Sequence, residues 1–255
     1  QQIKESFSVF ESSGSSGIGD CHLSVRHGDD EYVATSNPRW VERLDDFVDV
    51  SRYVGSNADR GASGKSFCKD NIYVGRADDG VLYIQILSFA DYTDDNDSSD
   101  PKDKADVDAI ASALNEIFLS SQGIRGVVLD LRFADGGWSS VAMQILAFFT
   151  DKIYQPVLRK RTKIPGSEEF LDKGSIWLHA DSVRVDVRPF LGPLVVLQSR
   201  ATIGAAEHLL LGLETVRRDS HTLYTVGTQT AGCLSDTLEI DLSLDMKLEV
   251  PNQRV

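Results

Sequence analysis

The sequence predicts an α/β fold in which strands lead directly into helices. Two observations predict it: an apolar run at 126–131 is followed by a glycine turn and a helical pattern, and the same order recurs over 193–213. Such an alternation builds a sheet covered by helices, with irregular loops at the carboxyl ends of the strands. Active sites in these sheets usually lie at those ends.

The composition is that of a folded protein. The 255 residues are 41% hydrophobic and 25% charged, which excludes a wholly disordered chain and allows both an enzyme and a binding module. The length favours one domain with a small N-terminal appendage. We predict an N-terminal segment with a hairpin and irregular loops at residues 1–70, and an α/β core at residues 71–255.

The net charge argues against two classes of partner. A formal charge of -13 repels phosphate backbones and anionic membrane surfaces, so no nucleic-acid partner is predicted. No window approaches the roughly 20 apolar residues of a membrane span. A start at Gln1 without a preceding Met resembles a trimmed chain, which favours an extracellular or periplasmic location over a cytoplasmic one. The oligomeric state stays open.

The cysteines indicate neither a metal site nor a cofactor. The three of them, Cys21, Cys68 and Cys233, lie far apart, and no CxxC pair is present. This spacing argues against structural zinc and leaves at most one intrachain disulfide.

The N-terminal segment is predicted to be mostly irregular. A short helix is expected at 1–10, and the run ESSGSSG at 11–17 has the composition of a linker. Apolar alternation at 22–26 and 31–34, around a Gly-Asp-Asp turn, predicts a hairpin. Residues 36–69 are rich in Gly, Ser, Asn and Asp and carry no clear pattern.

The core begins with a second hairpin. Strands are predicted at 72–76 and 81–87 around an Asp-Asp-Gly turn, where glycine tolerates positive φ. Residues 91–103 form an acidic surface loop in this interpretation. Apolar residues at helical spacing then predict an amphipathic helix at 105–121.

The rest of the core follows the same reasoning from apolar pattern and glycine position. The predicted strands are 126–131, 193–198, 223–226, 238–242 and 247–250, and the predicted helices are 139–149 and 205–213.

The first candidate site segment is the end of the strand at 126–131. Asp130 and Arg132 are expected to form an ion pair there, and Gly136-Gly137 follows before the next helix. Two glycines in this position let backbone N–H groups approach a developing negative charge. The alternative is a plain strand-to-helix turn, which glycine often marks.

The second candidate segment is Arg200 to Glu207, which runs straight into a helical pattern. A residue at the tip of such a turn, such as Gly204, combines exposure with the favourable dipole of a helix N-terminus. The alternative is simple helix capping, since glycine is common at helix starts.

Together and in this order, the two segments resemble the C-terminal processing peptidases and the tricorn core. The first matches their D-x-R-x-N-x-G-G motif, with Ala134 in place of the Asn, and the second matches T-x-S-A-x-E, with Gly204 in place of the nucleophilic Ser. Residues 226–232 resemble the family's G-x-x-T-x-G turn, and 20–22 resembles its D-x-H segment.

The resemblance implies a fold, an activity and a set of site residues. The fold would be a crotonase/Clp-protease-like spiral of ββα units, and the activity that of a serine-type peptidase, a hydrolase acting on polypeptides. The oxyanion hole would use backbone N–H groups of Gly136, Gly137 and Ala205.

The family has two branches, which differ in the group that deprotonates the nucleophilic serine. The processing peptidases use a Lys after the G-x-x-T-x-G turn, where this chain has Cys233. The candidate base is therefore His22, since an imidazole can accept a hydroxyl proton at neutral pH. This assignment favours the His-dependent, tricorn-like branch. A structural role for His22 is the alternative. Cys233 could itself attack a carbonyl, but it replaces the base, and a buried inert cysteine is the preferred interpretation.

Gly204 closes the covalent route of serine peptidases, because glycine has no side chain that could act as the nucleophile or pair with a base. An engineered variant, a natural pseudo-enzyme and a nucleophile elsewhere are the open explanations. The leading hypothesis is a peptidase frame that is inactive in this chain. The alternatives are a non-catalytic ligand- or peptide-binding module on the same fold and, less favoured, an acyl-CoA enzyme of the crotonase type.

Overall fold

The computed structural model describes most of the chain from residue 65 onward and two short strands before it. The described residues are 24–27, 30–33, 65–76, 80–94, 103–121, 123–164, 167–180, 187–234, 237–243, 246–251 and 253–254. The predicted helix at 1–10, the linker at 11–17 and most of the loop at 36–69 lie outside them.

Three sheets and three helices make up the described part of the chain. The strands are β1 (Ser24–His27), β2 (Asp30–Val33), β3 (Lys65–Phe67), β4 (Ile72–Arg76), β5 (Val81–Ile86), β6 (Gly126–Asp130), β7 (Tyr154–Lys163), β8 (Phe170–His179), β9 (Leu194–Gln198), β10 (Leu223–Gly227), β11 (Thr237–Ser243), β12 (Met246–Pro251) and β13 (Gln253–Arg254). The helices are α1 (Lys104–Ser120), α2 (Ser139–Ala147) and α3 (Ala205–Arg217).

The central sheet has six strands in the order β10-β9-β6-β5-β4-β3. Strands β5, β6, β9 and β10 run parallel, whereas β3 and β4 are antiparallel to their neighbours. Strand β6 lies in the middle and alternates buried residues such as Val127 and Leu129 with partly buried ones. Its buried position explains the near-continuous apolar run in the sequence.

The helices cover the sheet through apolar faces. Helix α1 buries Ile110, Leu114 and Ile117 at the three- and four-residue spacing that predicted it. Helix α2 is apolar on almost every side and packs against both α1 and α3. The largest buried side chains of the same core include Phe89, Phe148 and Phe149.

Two smaller sheets flank the core. One has the order β11-β12-β1-β2, so the predicted N-terminal hairpin is confirmed and shares a sheet with two strands near the other end of the chain. The other, β13-β7-β8, contains a hairpin of two ten-residue strands that the sequence pattern did not predict. Strand β3 lies within the predicted segment 1–70 and pairs with β4; a domain boundary at residue 70 stays a prediction.

Candidate active site

Two glycine turns meet at the carboxyl edge of the central sheet. One connects β6 to α2 and contains Gly136 and Gly137; the other connects β9 to α3 and contains Gly204. Strands β6 and β9 are parallel neighbours, so their turns emerge side by side. A Cβ atom placed on Gly204 would lie 3.4 Å from the Cα of Gly136, so the two backbones are in contact.

The backbone of Gly204 has a conformation that other residues adopt only under strain. Its φ is 57° and its ψ is -120°, and it stands immediately before the first residue of α3. A sharp, strained turn between a strand and a helix is how hydrolases of another α/β fold expose a nucleophilic serine. A nucleophile position at residue 204 stays a prediction.

Thr202 joins the two turns below Gly204. Its buried hydroxyl donates to the carbonyl of Leu131 at 2.7 Å and accepts from the N–H of Ser199 at 2.9 Å. The N–H of Ile203 adds a bond to the carbonyl of Ala134 at 3.1 Å. The relative position of the turns is thus set by hydrogen bonds between them.

Glu207 attaches a third segment to this arrangement. Its carboxylate, in the first turn of α3, is buried and accepts three backbone N–H bonds: from Gly204 at 3.1 Å, from Gly232 at 2.7 Å and from Cys233 at 2.7 Å. The N–H of Gly204 also reaches the carbonyl of Cys233 at 3.0 Å. Bonds to a charged acceptor are stronger than neutral ones, so Glu207 holds the 232–233 turn against the start of α3.

Gly137 allows the first turn to lie against the loop after β5. Its φ is 126°, and a Cβ there would lie 2.5 Å from the carbonyl carbon of Phe89. The N–H of Phe89 donates to Gly136 at 2.7 Å, and the N–H of Trp138 donates to Phe89 at 3.0 Å. Only glycine fits this approach without moving the backbone.

Several backbone N–H groups at the two turns and the helix starts that follow them have no acceptor among the described residues. They include those of Gly136, Gly137 and Ala205, which the resemblance implies for the oxyanion hole. Two of them stand close to helix N-termini, where the helix dipole favours negative charge. Their use as an oxyanion hole stays a prediction.

The predicted ion pair at the end of β6 is present. Arg132 donates from its Nε and Nη2 atoms to the two oxygens of the fully buried Asp130, at 2.9 and 2.6 Å. The hydroxyl of Tyr83 also donates to Asp130 at 2.5 Å. Burial, followed by this bond, raises the pKa of Tyr83, so the phenol stays neutral and supports the carboxylate.

His22, the candidate base, lies outside the described residues. Another histidine lies close to the turns: His208 is only 3% exposed, and its Nδ1 is 2.8 Å from the hydroxyl of Ser139. Both residues are in the first turn of a helix that follows a glycine turn. That shared position was the one signal in the sequence that could have connected them.

The two described cysteines differ in state. Cys233 is buried and disulfide-bonded, so it has no thiolate with which to attack a carbonyl, in agreement with its prediction as an inert residue. Cys68 is a free thiol. Burial, with a smaller effect of the Asp106 carboxylate, raises the pKa of Cys68 to about 12, which keeps it protonated at neutral pH.

The described ranges lack two further features. No group of His, Cys, Asp and Glu side chains there could hold a metal ion. Within the same ranges, none of the helices combines the length and the apolar character needed to cross a bilayer.

Fold and site together define a peptidase-like α/β protein, with a mostly parallel sheet and paired glycine turns at its carboxyl edge. The model of peptidase family S41 matches residues 80–255, which is more than half of the chain. The chain therefore belongs to peptidase family S41. Among curated proteins, none matches its sequence.

Several solved structures have a similar fold. One is named a peptidase, from Parabacteroides merdae ATCC 43184, with a TM-score of 0.65 and 17% identity over 98% of this chain and 69% of its own. Another is named an S41 protease, from Bacteroides fragilis NCTC 9343, with a TM-score of 0.51 and 22% identity over 71% of this chain and 44% of its own. A mutant of CPAF has a TM-score of 0.54 and 12% identity over 92% of this chain and 54% of its own.

These likenesses concern the fold, and they confirm the predicted α/β fold class, with its mostly parallel central sheet. The chain spans about half the length of two of these proteins and 69% of the third.

Proposed function

We propose that this chain carries the acyl-transfer site of a serine-type peptidase that acts on polypeptides, and that Gly204 at the nucleophile position leaves the chain itself unable to form an acyl-enzyme. Membership of family S41 supports the peptidase frame. The absence of a hydroxyl at residue 204 supports the loss of covalent hydrolysis, because a serine peptidase needs that oxygen to attack the carbonyl.

One observation carries the proposal: the backbone of Gly204 keeps a φ of 57° and a ψ of -120° at the start of α3, in contact with Gly136. A side chain at residue 204 would begin 3.4 Å from Gly136 and 3.9 Å from the carbonyl of Cys233, which are ordinary van der Waals distances. A serine would therefore have room, beside N–H groups that have no described acceptor.

The roles of the other site residues follow from that position. The N–H groups of Gly137 and Ala205, with Gly136 in the same turn, would stabilise the oxyanion of the tetrahedral intermediate. His22 would take the proton from a serine at residue 204, as in the His-dependent branch of the family. Replacing His22 by Ala in the Gly204→Ser background should then abolish the restored activity.

The test compares Gly204→Ser with Gly204→Ala. Both variants place a Cβ at positive φ and should lose the same stability, about 1–3 kcal/mol in urea unfolding. Only Gly204→Ser should react with a fluorophosphonate at residue 204 and hydrolyse a mixture of fluorogenic peptides. Mass spectrometry of the labelled peptide identifies the residue that reacted.

The control is built into the pair, because Gly204→Ala reproduces the strain without the hydroxyl. If Gly204→Ser folds as well as Gly204→Ala and shows neither labelling at residue 204 nor peptide hydrolysis, the proposal is wrong.

A second candidate function is a non-catalytic ligand- or peptide-binding module on the same fold. It is favoured by Ala134, which is fully buried where the motif has Asn, and by Gly204, since both positions lack the polar groups of the motif. This function predicts that Gly204→Ser retains a peptide or an apolar ligand without cleaving it. Native mass spectrometry after purification would detect such a ligand.

We also infer an extracellular or periplasmic location. The disulfide bond of Cys233 supports it, because disulfides persist in oxidising compartments and are rare in the cytosol.

A further inference from the structure

A serine and a histidine outside the family motif form a hydrogen-bonded pair beside the candidate site. Ser139 is the first residue of α2 and is partly buried, and its hydroxyl oxygen lies 2.8 Å from Nδ1 of His208, the fourth residue of α3. Ser139 comes two residues after Gly137, and His208 comes one helical turn after Gly204. The pair therefore lies between the starts of the two helices that form the candidate site.

The second contact of His208 favours one tautomer of the neutral imidazole. Its Nε2 lies 3.2 Å from the carbonyl oxygen of Leu234, which can only accept a hydrogen bond. In the neutral imidazole, Nε2 is then the donor, and Nδ1 is left with a lone pair directed at the hydroxyl of Ser139. In this tautomer Ser139 donates, and His208 accepts.

This is the arrangement of an activated nucleophile: a hydroxyl within hydrogen-bond reach of a base, and a third group that orients the base. We propose that Ser139 and His208 form a second nucleophile–base pair, which takes the acyl group of an activated ester without a serine at residue 204. The pair itself is independent of the function proposed above.

The reaction balances with water as the only other reactant. The Ser139 oxygen forms a bond to the carbonyl carbon while its proton moves to Nδ1 of His208. The ester C–O bond then breaks, and the proton passes to the departing alkoxide. Water, deprotonated by the same nitrogen, then attacks the Ser139 ester. The bond between the acyl carbon and the Ser139 oxygen breaks, this oxygen takes the proton back from Nδ1, and the carboxylic acid is released.

Activated esters are the expected substrate class because their leaving group departs with little help. An amide needs a well-placed acid to protonate its nitrogen and a complete oxyanion hole. The N–H groups that the proposed function uses as an oxyanion hole would serve a side chain at residue 204, so amide hydrolysis by Ser139 is not expected.

The test treats the native chain with a fluorophosphonate and locates the adduct by mass spectrometry, with p-nitrophenyl acetate as the ester substrate. We expect an adduct on Ser139. Ser139→Ala should remove it, and His208→Gln, which keeps a donor for the Leu234 carbonyl but has no base, should slow labelling about 10²-fold. Ser140→Ala is the matched control, because the neighbouring Ser140 bonds to Asp103 instead and should leave labelling unchanged.

A native chain that is folded by circular dichroism and carries no adduct on Ser139 overturns the inference and leaves the pair as a structural hydrogen bond between α2 and α3. This result needs no variant, so a variant that fails to fold does not affect it. The outcome is also separate from the function proposed above, since labelling at residue 204 in Gly204→Ser reports on that function alone.

Discussion

At the residue scale, Glu207 stabilises the candidate site by joining three chain segments. It stands at the start of α3, and its buried carboxylate accepts N–H bonds from the residue before the helix and from the turn at 232–233. Leaving a buried polar group without its hydrogen-bond partner costs more free energy than forming that hydrogen bond contributes. Its effect should therefore be visible in stability as well as in activity.

We predict that Glu207→Gln lowers the free energy of unfolding by about 2–3 kcal/mol, because an amide offers one acceptor oxygen and turns its NH₂ group toward a backbone donor. Glu214→Gln is the control: Glu214 is exposed on the same helix, and its change should stay within about 0.5 kcal/mol. Urea unfolding measures both. Equal values for the two variants would contradict the role given to Glu207.

The stability effect of the close contact between Gly137 and Phe89 can be measured separately from the effect of the positive φ at Gly137. Gly137→Ala would place a Cβ 2.5 Å from a backbone carbon, whereas Gly174→Ala, with a φ of 91°, would meet no atom within 4 Å. The control should cost only the conformational penalty, about 1–2 kcal/mol. We expect Gly137→Ala to cost at least about 2 kcal/mol more in urea unfolding, because two backbone segments must move apart.

At the scale of the elements, the C-terminal end of α3 is attached to the end of α2 and to the loop before β9. The buried Arg217 donates to the carbonyls of Phe149 at 2.7 Å and Gly192 at 3.0 Å, and also to the carbonyl of Phe190. Burial lowers the pKa of Arg217. The guanidinium remains charged nevertheless, because its ordinary pKa is so high.

Arg217→Met should destabilise the protein by about 2–4 kcal/mol, because it leaves several buried carbonyl groups without a donor while keeping much of the apolar stem. Arg218→Met, at the exposed neighbouring position, serves as the control and should have little effect. Thermal and urea unfolding both report the difference. A similar loss in the two variants would show that the attachment of α3 does not depend on Arg217.

The elements also show where the sequence pattern was informative. Strand β6 and helix α1 were predicted to within a residue or two at each end, because one is buried on both faces and the other has one apolar face. The hairpin of β7 and β8 was missed. Strand β8 is mostly exposed, with Leu171 and Trp177 facing solvent, so no alternation of buried and exposed residues marks it.

At the scale of the whole molecule, several acidic groups are held in their protonated form by folding. The pKa of Cys68 is raised to about 12, and those of Tyr73, Tyr83 and Tyr92 are also raised, in each case chiefly by burial. In the unfolded chain these groups lose their protons at lower pH. Unfolding at alkaline pH therefore releases protons, and their contribution to stability is complete only below about pH 9.

We expect the free energy of unfolding to fall as pH rises from 9 to 11. Urea unfolding at fixed ionic strength measures the slope, which gives the number of protons released. Cys68→Ala should remove the part that begins near pH 9 and keep the later part from the tyrosines. A slope of zero, or one that Cys68→Ala does not change near pH 9, would contradict the assignment.

The sequence by itself determined the order of the helices and of strands β4, β5, β6, β9 and β10 in the central sheet, the glycine turns and the lack of a side chain at residue 204. Each of these is a local property: a run, a spacing or an identity. The tertiary structure alone decided that Gly204 lies against Gly136, that Glu207 reaches the turn at 232–233, and that Ser139 contacts His208. Those contacts join residues far apart in the chain, and they depend on the register of β6 against β9 and on the packing of α2 against α3, which no local pattern records.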